Sequence, residues 1–304
     1  MNMIHVFGAI NLDVIVQKDK FLTNTSNISK IDLNFGGVGF NIFQSLKTKQ
    51  KKFITTIGDD LITPYLEKFL KKFKDQCKFY INRQYTNGKY VALMEEGRLI
   101  YGAADVIVVE KGFSKNFLDT QIKKVKNNDF VIIDANLGPS TISYIIKSCS
   151  KKKAKIIFET VSVEKTQRSR KILKNLFLIS PTEEELLAAI SSSSSSEMIL
   201  NKSVLSFMKK SKIENIILTK GEKGVEWFYK DKEDLKYLVK KIPPKKIIRT
   251  KNTTGAGDLL LASIVSNLKS ITNNNFANFD NSNNFERAIT LAMKTVEQFL
   301  QKRK

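Results

Sequence analysis

Along this chain, short continuous apolar runs alternate with stretches in which apolar residues recur at helical spacing. Ile4 to Phe7 is followed by Gly8 and then by polar Asn11 and Asp13. Phe53 to Ile57 reads as a strand, and Tyr65 to Phe73 as an amphipathic helix with lysines on its outer face. Further on, Phe130 to Ile133 ends in Asp134-Ala135-Asn136, and Lys155 to Phe158 ends in Glu159. Leu176 to Ile179 ends in Ser180-Pro181-Thr182, and Asn215 to Leu218 ends in Thr219-Lys220-Gly221. Runs of this kind suit parallel strands buried on both faces, with helical patterns between them. They predict an α/β fold, a doubly wound and mostly parallel sheet flanked by helices, with its ligand site along the carboxyl edge of the strands.

One segment breaks the alternation. From Phe79 to Tyr101 the period moves towards two, and Tyr90 to Met94, Glu95-Glu96-Gly97-Arg98 and Leu99 to Tyr101 read as a hairpin. The stretch up to Leu33 also alternates loosely. Together they predict a small β lid formed by about 14–35 and 78–104. Ser191 to Ser196 and Asn273 to Asn284 are low-complexity stretches read as surface loops. Neither separates two sheet patterns, so residues 1–304 are expected to form a single domain, closed by an amphipathic helix from Arg287 to Phe299.

Composition narrows the chemistry. His5 is the only histidine, which excludes Ser-His-Asp, Cys-His and multi-histidine metal sites. Proton transfer must then use Asp, Glu, Lys or Tyr. Cys77 and Cys149 alone support neither a disulfide framework nor a zinc cluster. The net charge of +21 raises the question of nucleic acid, but the lysines fall in short scattered groups among apolar residues. A lysine-rich solvated surface that attracts small anions is the expectation, with no nucleic-acid and no membrane partner. The first residues reach polar Asn11 too soon for a signal-peptide core, and a cytoplasmic protein is expected.

Two glycine-rich loops carry the candidate chemistry. Thr254-Gly255-Ala256-Gly257-Asp258 opens onto the helical run Leu259-Leu260-Leu261-Ala262. Free N–H groups at a helix start and a neighbouring carboxylate suit an anion site with a general base beside it. The plain alternative is a turn in which Thr254 and Asp258 serve as helix caps. Gly36-Gly37-Val38-Gly39-Phe40-Asn41 opens a second helix. Asn11, Asp13 and Asn41 are short polar groups suited to a sugar diol, or equally to local turn hydrogen bonds. Glu185 follows Ser180-Pro181-Thr182 and is either part of a helix cap or a holder of hydrated Mg²⁺ through water. No Walker-type loop or protein-kinase motif set is present.

These motifs resemble the ribokinase-like family of carbohydrate and nucleoside kinases. Gly36-Gly37 with Asn41 looks like its N-terminal signature, and Thr254 to Asp258 like its C-terminal one. Within that family several segments look most like pseudouridine kinases. They are Gly36 to Asn41, Ala104-Asp105, Asp134-Ala135-Asn136-Leu137, Phe158-Glu159-Thr160-Val161-Ser162-Val163-Glu164-Lys165 and Ser180 to Leu186. The resemblance implies ATP-dependent transfer to the 5′-hydroxyl of pseudouridine, or of another sugar or nucleoside such as ribose or adenosine. A kinase-like binding protein is the alternative outside enzymes. It implies Asp258 as base, with Gly255, Ala256 and Gly257 as the anion hole. Asn11, Asp13, Gly36, Gly37, Asn41 and Lys165 would lie on the acceptor. Thr219, Lys220, Gly221, Gly224 and Thr254 would lie on the nucleotide. ATP and Mg²⁺ are the implied cofactors, a monovalent cation is left open, and a homodimer through the lid is the implied assembly. The chain departs from the pattern at Phe40, where Arg is usual, at Thr182, where Asn is usual, and at Leu259, where a smaller residue is common.

Overall fold

The computed structural model of the chain describes residues 2–191, 197–231, 234–250, 252–271 and 282–303. Its first strand, β1 (Ile4–Phe7), is fully buried inside a nine-stranded sheet. On one side β1 pairs in parallel with β4 (Lys51–Ile57), which in turn pairs with β5 (Cys77–Ile81). On the other side it pairs in parallel with β8 (Phe130–Asp134), followed by β9 (Lys155–Glu159), β10 (Leu178–Ser180) and β11 (Asn215–Thr219). The antiparallel strands β12 (Val225–Lys230) and β13 (Tyr237–Ile242) close that edge. The strand order therefore reverses at β1 and β8, and a ligand crevice is expected outside their carboxyl ends.

The apolar runs are continuous because both faces are covered. One face carries α1 (Val38–Ser45), α2 (Thr63–Lys71), α9 (Ala256–Ile271) and α10 (Ser282–Gln301). The other carries α3 (Ile107–Lys111), α4 (Lys115–Lys123), α5 (Pro139–Ser150), α7 (Glu183–Ile190) and α8 (Glu197–Ser211). Neighbours in β8 divide accordingly. Phe130 and Ile132 join the first core, and Val131 and Ile133 join the second. This alternation is the doubly wound arrangement that the sequence pattern predicts.

A separate four-stranded sheet stands over the carboxyl edge, in the order β3 (Lys30–Gly36), β2 (Asn11–Lys18), β6 (Lys89–Glu95), β7 (Arg98–Asp105). Strands β6 and β7 are joined through Glu96 and Gly97, with φ of 46° and 80°. Two consecutive positive-φ residues give the twist that a tight hairpin needs. The lid expectation needs one correction. Residues 78–81 belong to β5 at the edge of the large sheet, and the second lid segment starts at Lys89. Alternation shows that a residue lies in a strand, not which sheet the strand joins.

Two other expectations shift. Ser282 to Asn284 form the start of α10 rather than loop, and 272–281 lie outside the described residues. Ser191 closes α7 in the left-handed region with φ of 54°, and 192–196 also lie outside the described residues. Phe40, at the position of the usual Arg, faces the core. Its ring centroid lies 5.4 to 6.1 Å from those of Phe53, Phe69, Phe73 and Phe43. The departure at Phe40 is thus absorbed by packing.

Candidate active site

The site begins at the start of α9. Gly255 has φ of 80°, a conformation that favours glycine, and it turns the chain into the helix. A Cβ placed on Gly257 would meet nothing within 4 Å, so glycine there leaves an open floor rather than relieving a packing clash. The Ala256 N–H donates to the Thr253 carbonyl at 3.0 Å. Ala256 therefore closes the turn, and Gly255 and Gly257 are the loop glycines whose N–H groups bond no acceptor among the described residues.

Asp258 lies in the first turn of α9, where an acid is favoured by the helix dipole. Its carboxylate, however, does not cap its own helix. Oδ2 accepts a hydrogen bond from Asn41 Nδ2 at 3.0 Å, across from the other glycine loop. Burial and the negative charge of Asp134 push its pKa up to about 6, against the pull of the Asn41 hydrogen bond. A half-buried carboxylate in this range is ionised at neutral pH and close to the operating pH of a general base.

Asp134, at the end of β8, fixes the geometry of the opposite loop. It is fully buried, and Oδ2 accepts from the N–H groups of Ala9 and Gly39 at 2.8 Å each, while Oδ1 accepts from Asn136 at 2.9 Å. Added Cβ atoms on Gly8 and Gly39 would each stand 2.5 Å from Asp134 Oδ2, so both glycines are required for this approach. Gly37 precedes α1 with φ of 102°, and a Cβ there would also press on the Ala9 carbonyl at 2.9 Å. One carboxylate thus ties β1, β8 and α1 together at the topological switch.

Asn11 and Asp13 project from β2, directly after this clamp. Asn11 Oδ1 and Asp13 Oδ1 are buried and accept no hydrogen bond among the described residues. Burial and the charge of Asp258 push Asp13 up to about 6. Gly36 stands against Asp13, where a Cβ would lie 2.0 Å from Oδ2, and Gly88 likewise abuts Asn11 Oδ1 at 2.4 Å. Two orphaned acceptors beside small residues form a recess that wants hydroxyl or N–H donors. Tyr90, on the neighbouring lid strand, is raised by burial and by Asp13, and so belongs to the same recess.

Lys165 on α6 (Val163–Ser169) is bound to Asn136 Oδ1, and burial lowers its pKa. That contact holds its ammonium beside the carboxyl end of β8, two residues past Asp134. Glu159 and Glu185 complete the carboxyl edge. Glu185 Oε2 accepts from the Thr160 hydroxyl at 2.6 Å and the Thr182 N–H at 2.9 Å, and Thr182 caps α7 in return. Of the two readings of Glu185, the structure shows the helix cap. Thr182 fills the capping role that an Asn would fill. Glu159 is pushed well above the usual carboxylate range by burial and by the charges of Asp258 and Glu185. Excess negative charge of this kind fits a hydrated divalent cation. No cluster of three or more metal-ligating side chains exists among the described residues, so such a cation would be held through water and phosphate. Beyond Glu159, the β-branched Val161 has φ of 66°, a strained conformation beside the site.

On the far side of α9 lies a cleft of about 610 Å³. Thr219, Lys220, Gly221 and Gly224 line one side, with Ala256 and Gly257 at the anion loop, while Thr254 stands outside it. Gly224, with φ of 87°, turns the chain tightly against the Ile242 carbonyl. Its apolar wall consists of Ile247, Ile248, Leu260, Met293, Val296 and Leu300. Glu297 of α10 holds the loop over it by accepting from the N–H groups of Lys245 and Lys246 at 2.7 and 3.3 Å. A flat apolar slot at one end and a glycine-lined helix start at the other fit a purine base joined to phosphates. Cleft and recess are separated by Asp258 and the anion loop.

In the sequence, Asp134 and Glu159 stand out only as strand ends and within the resembling segments, and neither Tyr90 nor the apolar wall carries a motif signal. Asp134 and Glu159 share a legible signal, a carboxylate ending an otherwise apolar strand. Ile247 and Ile248 show only as an apolar pair among lysines. His5, by contrast, is buried at the opposite end of β1 on Asp129 Oδ2, at 3.1 Å, and has no part in the site.

Comparison with known proteins bears on the family and the fold. A pseudouridine kinase of Arabidopsis thaliana is 27% identical over 188 residues, covering 60% of this chain and 49% of that protein. The match thus spans about half of that relative's length. A ribokinase of Lactococcus lactis is 24% identical over 270 residues, covering 85% of this chain and 81% of the relative. The structure of ribokinase from Giardia lamblia superposes with a TM-score of 0.81 at 13% identity, covering 97% of this chain and 93% of that one. Phosphofructokinase-2 from Escherichia coli, in complex with substrates and products, gives 0.72 at 14% identity, covering 99% and 100% of the two chains. These likenesses show the same fold. The family model for pfkB family carbohydrate kinase matches residues 1–303, and the chain belongs to that family of sugar and nucleoside kinases.

Proposed function

We propose that the chain transfers the γ-phosphoryl group of ATP to the 5′-hydroxyl of pseudouridine, giving pseudouridine 5′-phosphate and ADP. The observation that carries the reaction type is Asp258, held by Asn41 between the apolar cleft and the recess with its orphaned acceptors. The nucleoside enters beneath the lid, its ribose hydroxyls donating to Asn11 Oδ1 and Asp13 Oδ1. Asp258 accepts the 5′-hydroxyl proton as that oxygen bonds to the γ-phosphorus and the bond to the β-phosphate oxygen breaks. The N–H groups of Gly255 and Gly257 face the charge that develops on the transferred group. Lys220 serves the phosphates, and Thr254 supports the loop from behind. When bound, Mg²⁺ neutralises phosphate charge, and Glu185 with Glu159 would hold its waters.

Support for pseudouridine comes from the segments Phe158 to Lys165 and Gly36 to Asn41, and from the Arabidopsis relative. The Lactococcus relative supports a second reading with ribose as acceptor. ADP release measured across pseudouridine, uridine, ribose, adenosine and a hexose decides between them. Highest kcat/KM on pseudouridine is expected, and a preference for ribose or adenosine overturns the substrate assignment. Exposed Ile31, Leu33, Leu99 and Tyr101 make the lid the surface that a second copy would cover. We place the reaction in the cytoplasm. No helix among the described residues is long and apolar enough to cross a membrane.

A further inference from the structure

We propose that Arg303, at the end of the chain, is a positioning residue for the anion loop, acting through the Thr254–Gly255 peptide. Its Nη1 donates to the Thr254 carbonyl at 2.7 Å and lies 3.5 Å from Asn252 Oδ1. The guanidinium also stands 4.0 Å from the ring centroid of Phe299 in the last turns of α10, a cation–π contact. The backbone ties in as well. The Arg303 carbonyl accepts from Thr250 Oγ1 at 2.9 Å, and Asn252 Oδ1 accepts from the Thr254 N–H at 3.1 Å. Arg303 therefore clamps both ends of the short segment leading into Gly255.

The consequence follows from the peptide unit itself. The Thr254 carbonyl and the Gly255 N–H belong to one planar group. Gly255, at φ of 80°, has no side chain to hold that plane, and a Cβ there would meet nothing within 4 Å. A guanidinium on the carbonyl oxygen fixes the plane and draws electron density towards oxygen, which makes the N–H at the other end a stronger donor to an anion. The arrangement supplies fixed positive charge behind the loop from outside the cleft, which Arg303 does not line.

The inference rests on the anion-loop reading above, and the experiment separates the two. Arg303→Ala, Arg303→Lys and wild type are compared for kcat, for acceptor KM, and for binding of ADP and of adenosine by calorimetry. Losing one oxyanion donor outright costs about 10²- to 10³-fold in kcat, and weakening one should cost about tenfold. Arg303→Ala is expected to lose about tenfold in kcat at unchanged acceptor KM. It should also lose the preference for ADP over adenosine, and regain kcat when millimolar guanidinium is added. Arg303→Lys should fall between. Wild-type kcat and ADP preference in Arg303→Ala overturn the inference, as does a loss that guanidinium does not restore. If the wild type releases no ADP with any acceptor, the functional reading fails, and the ADP-over-adenosine preference still tests Arg303.

Discussion

Replacing Asp258 by Asn should stabilise the fold while it disables the chemistry. Asp258 is held at about 6 against an ordinary 3.8, chiefly by burial. A carboxyl group whose folded-state pKa is raised favours folding when protonated. Its stabilising contribution is complete below about 3.8 and is lost as pH rises through 6. At pH 8 the folded protein therefore carries an ionised group that costs at most about 3 kcal/mol, at 1.36 kcal/mol per pH unit. Asn is neutral at every pH and keeps a carbonyl oxygen for Asn41. Spread over the unfolding entropy of a chain this long, 3 kcal/mol corresponds to about 5 °C in Tm. Thermal unfolding of Asp258→Asn and wild type at pH 5 and pH 8 should show a gain of up to about 5 °C at pH 8 that shrinks at pH 5. A variant equal to or less stable than wild type at pH 8, or a gain independent of pH, refutes the strained-carboxylate argument.

Three further outcomes follow from the geometry. The Asn41 hydrogen bond lowers the Asp258 pKa, so Asn41→Ala should move the acid limb of the kcat profile to higher pH. An unmoved limb would detach Asn41 from the base. Ile247→Asp places a charge on the apolar wall and should raise KM for ATP at least about tenfold, with acceptor KM unchanged, in steady-state kinetics. Phe40→Arg buries an unpaired charge among aromatic rings and should cost about 3 kcal/mol or more in denaturant unfolding.

The large sheet was legible because both of its faces are covered, which writes β1, β8, β9 and β11 as mainly apolar runs. Edge strands carry a weaker signal. The half-exposed β5 alternates as a lid strand would, and only its pairing with β4 separates the two. In the site, residues beside positive-φ glycines were legible, since Gly37 and Gly255 mark where the backbone must turn. Asn41 and Asp258 were found that way, although their mutual hydrogen bond spans a sequence separation of 217 and leaves no local trace. The role of Asp134 is not legible, because a carboxylate that gathers the Ala9 and Gly39 amides looks in sequence like any polar strand end. The cleft wall was missed for a related reason. Its residues come from a loop, from α9 and from α10, each contributing only a few to a surface that exists after folding.

The central claim is that Asp258 takes the acceptor's proton during phosphoryl transfer. It is tested most directly by ADP release from Asp258→Asn and wild type at saturating ATP and pseudouridine, or the best acceptor of the panel. Loss of the base should lower kcat by about 10²- to 10⁴-fold, with acceptor binding still measurable by calorimetry. A kcat within a fewfold of wild type would contradict the account.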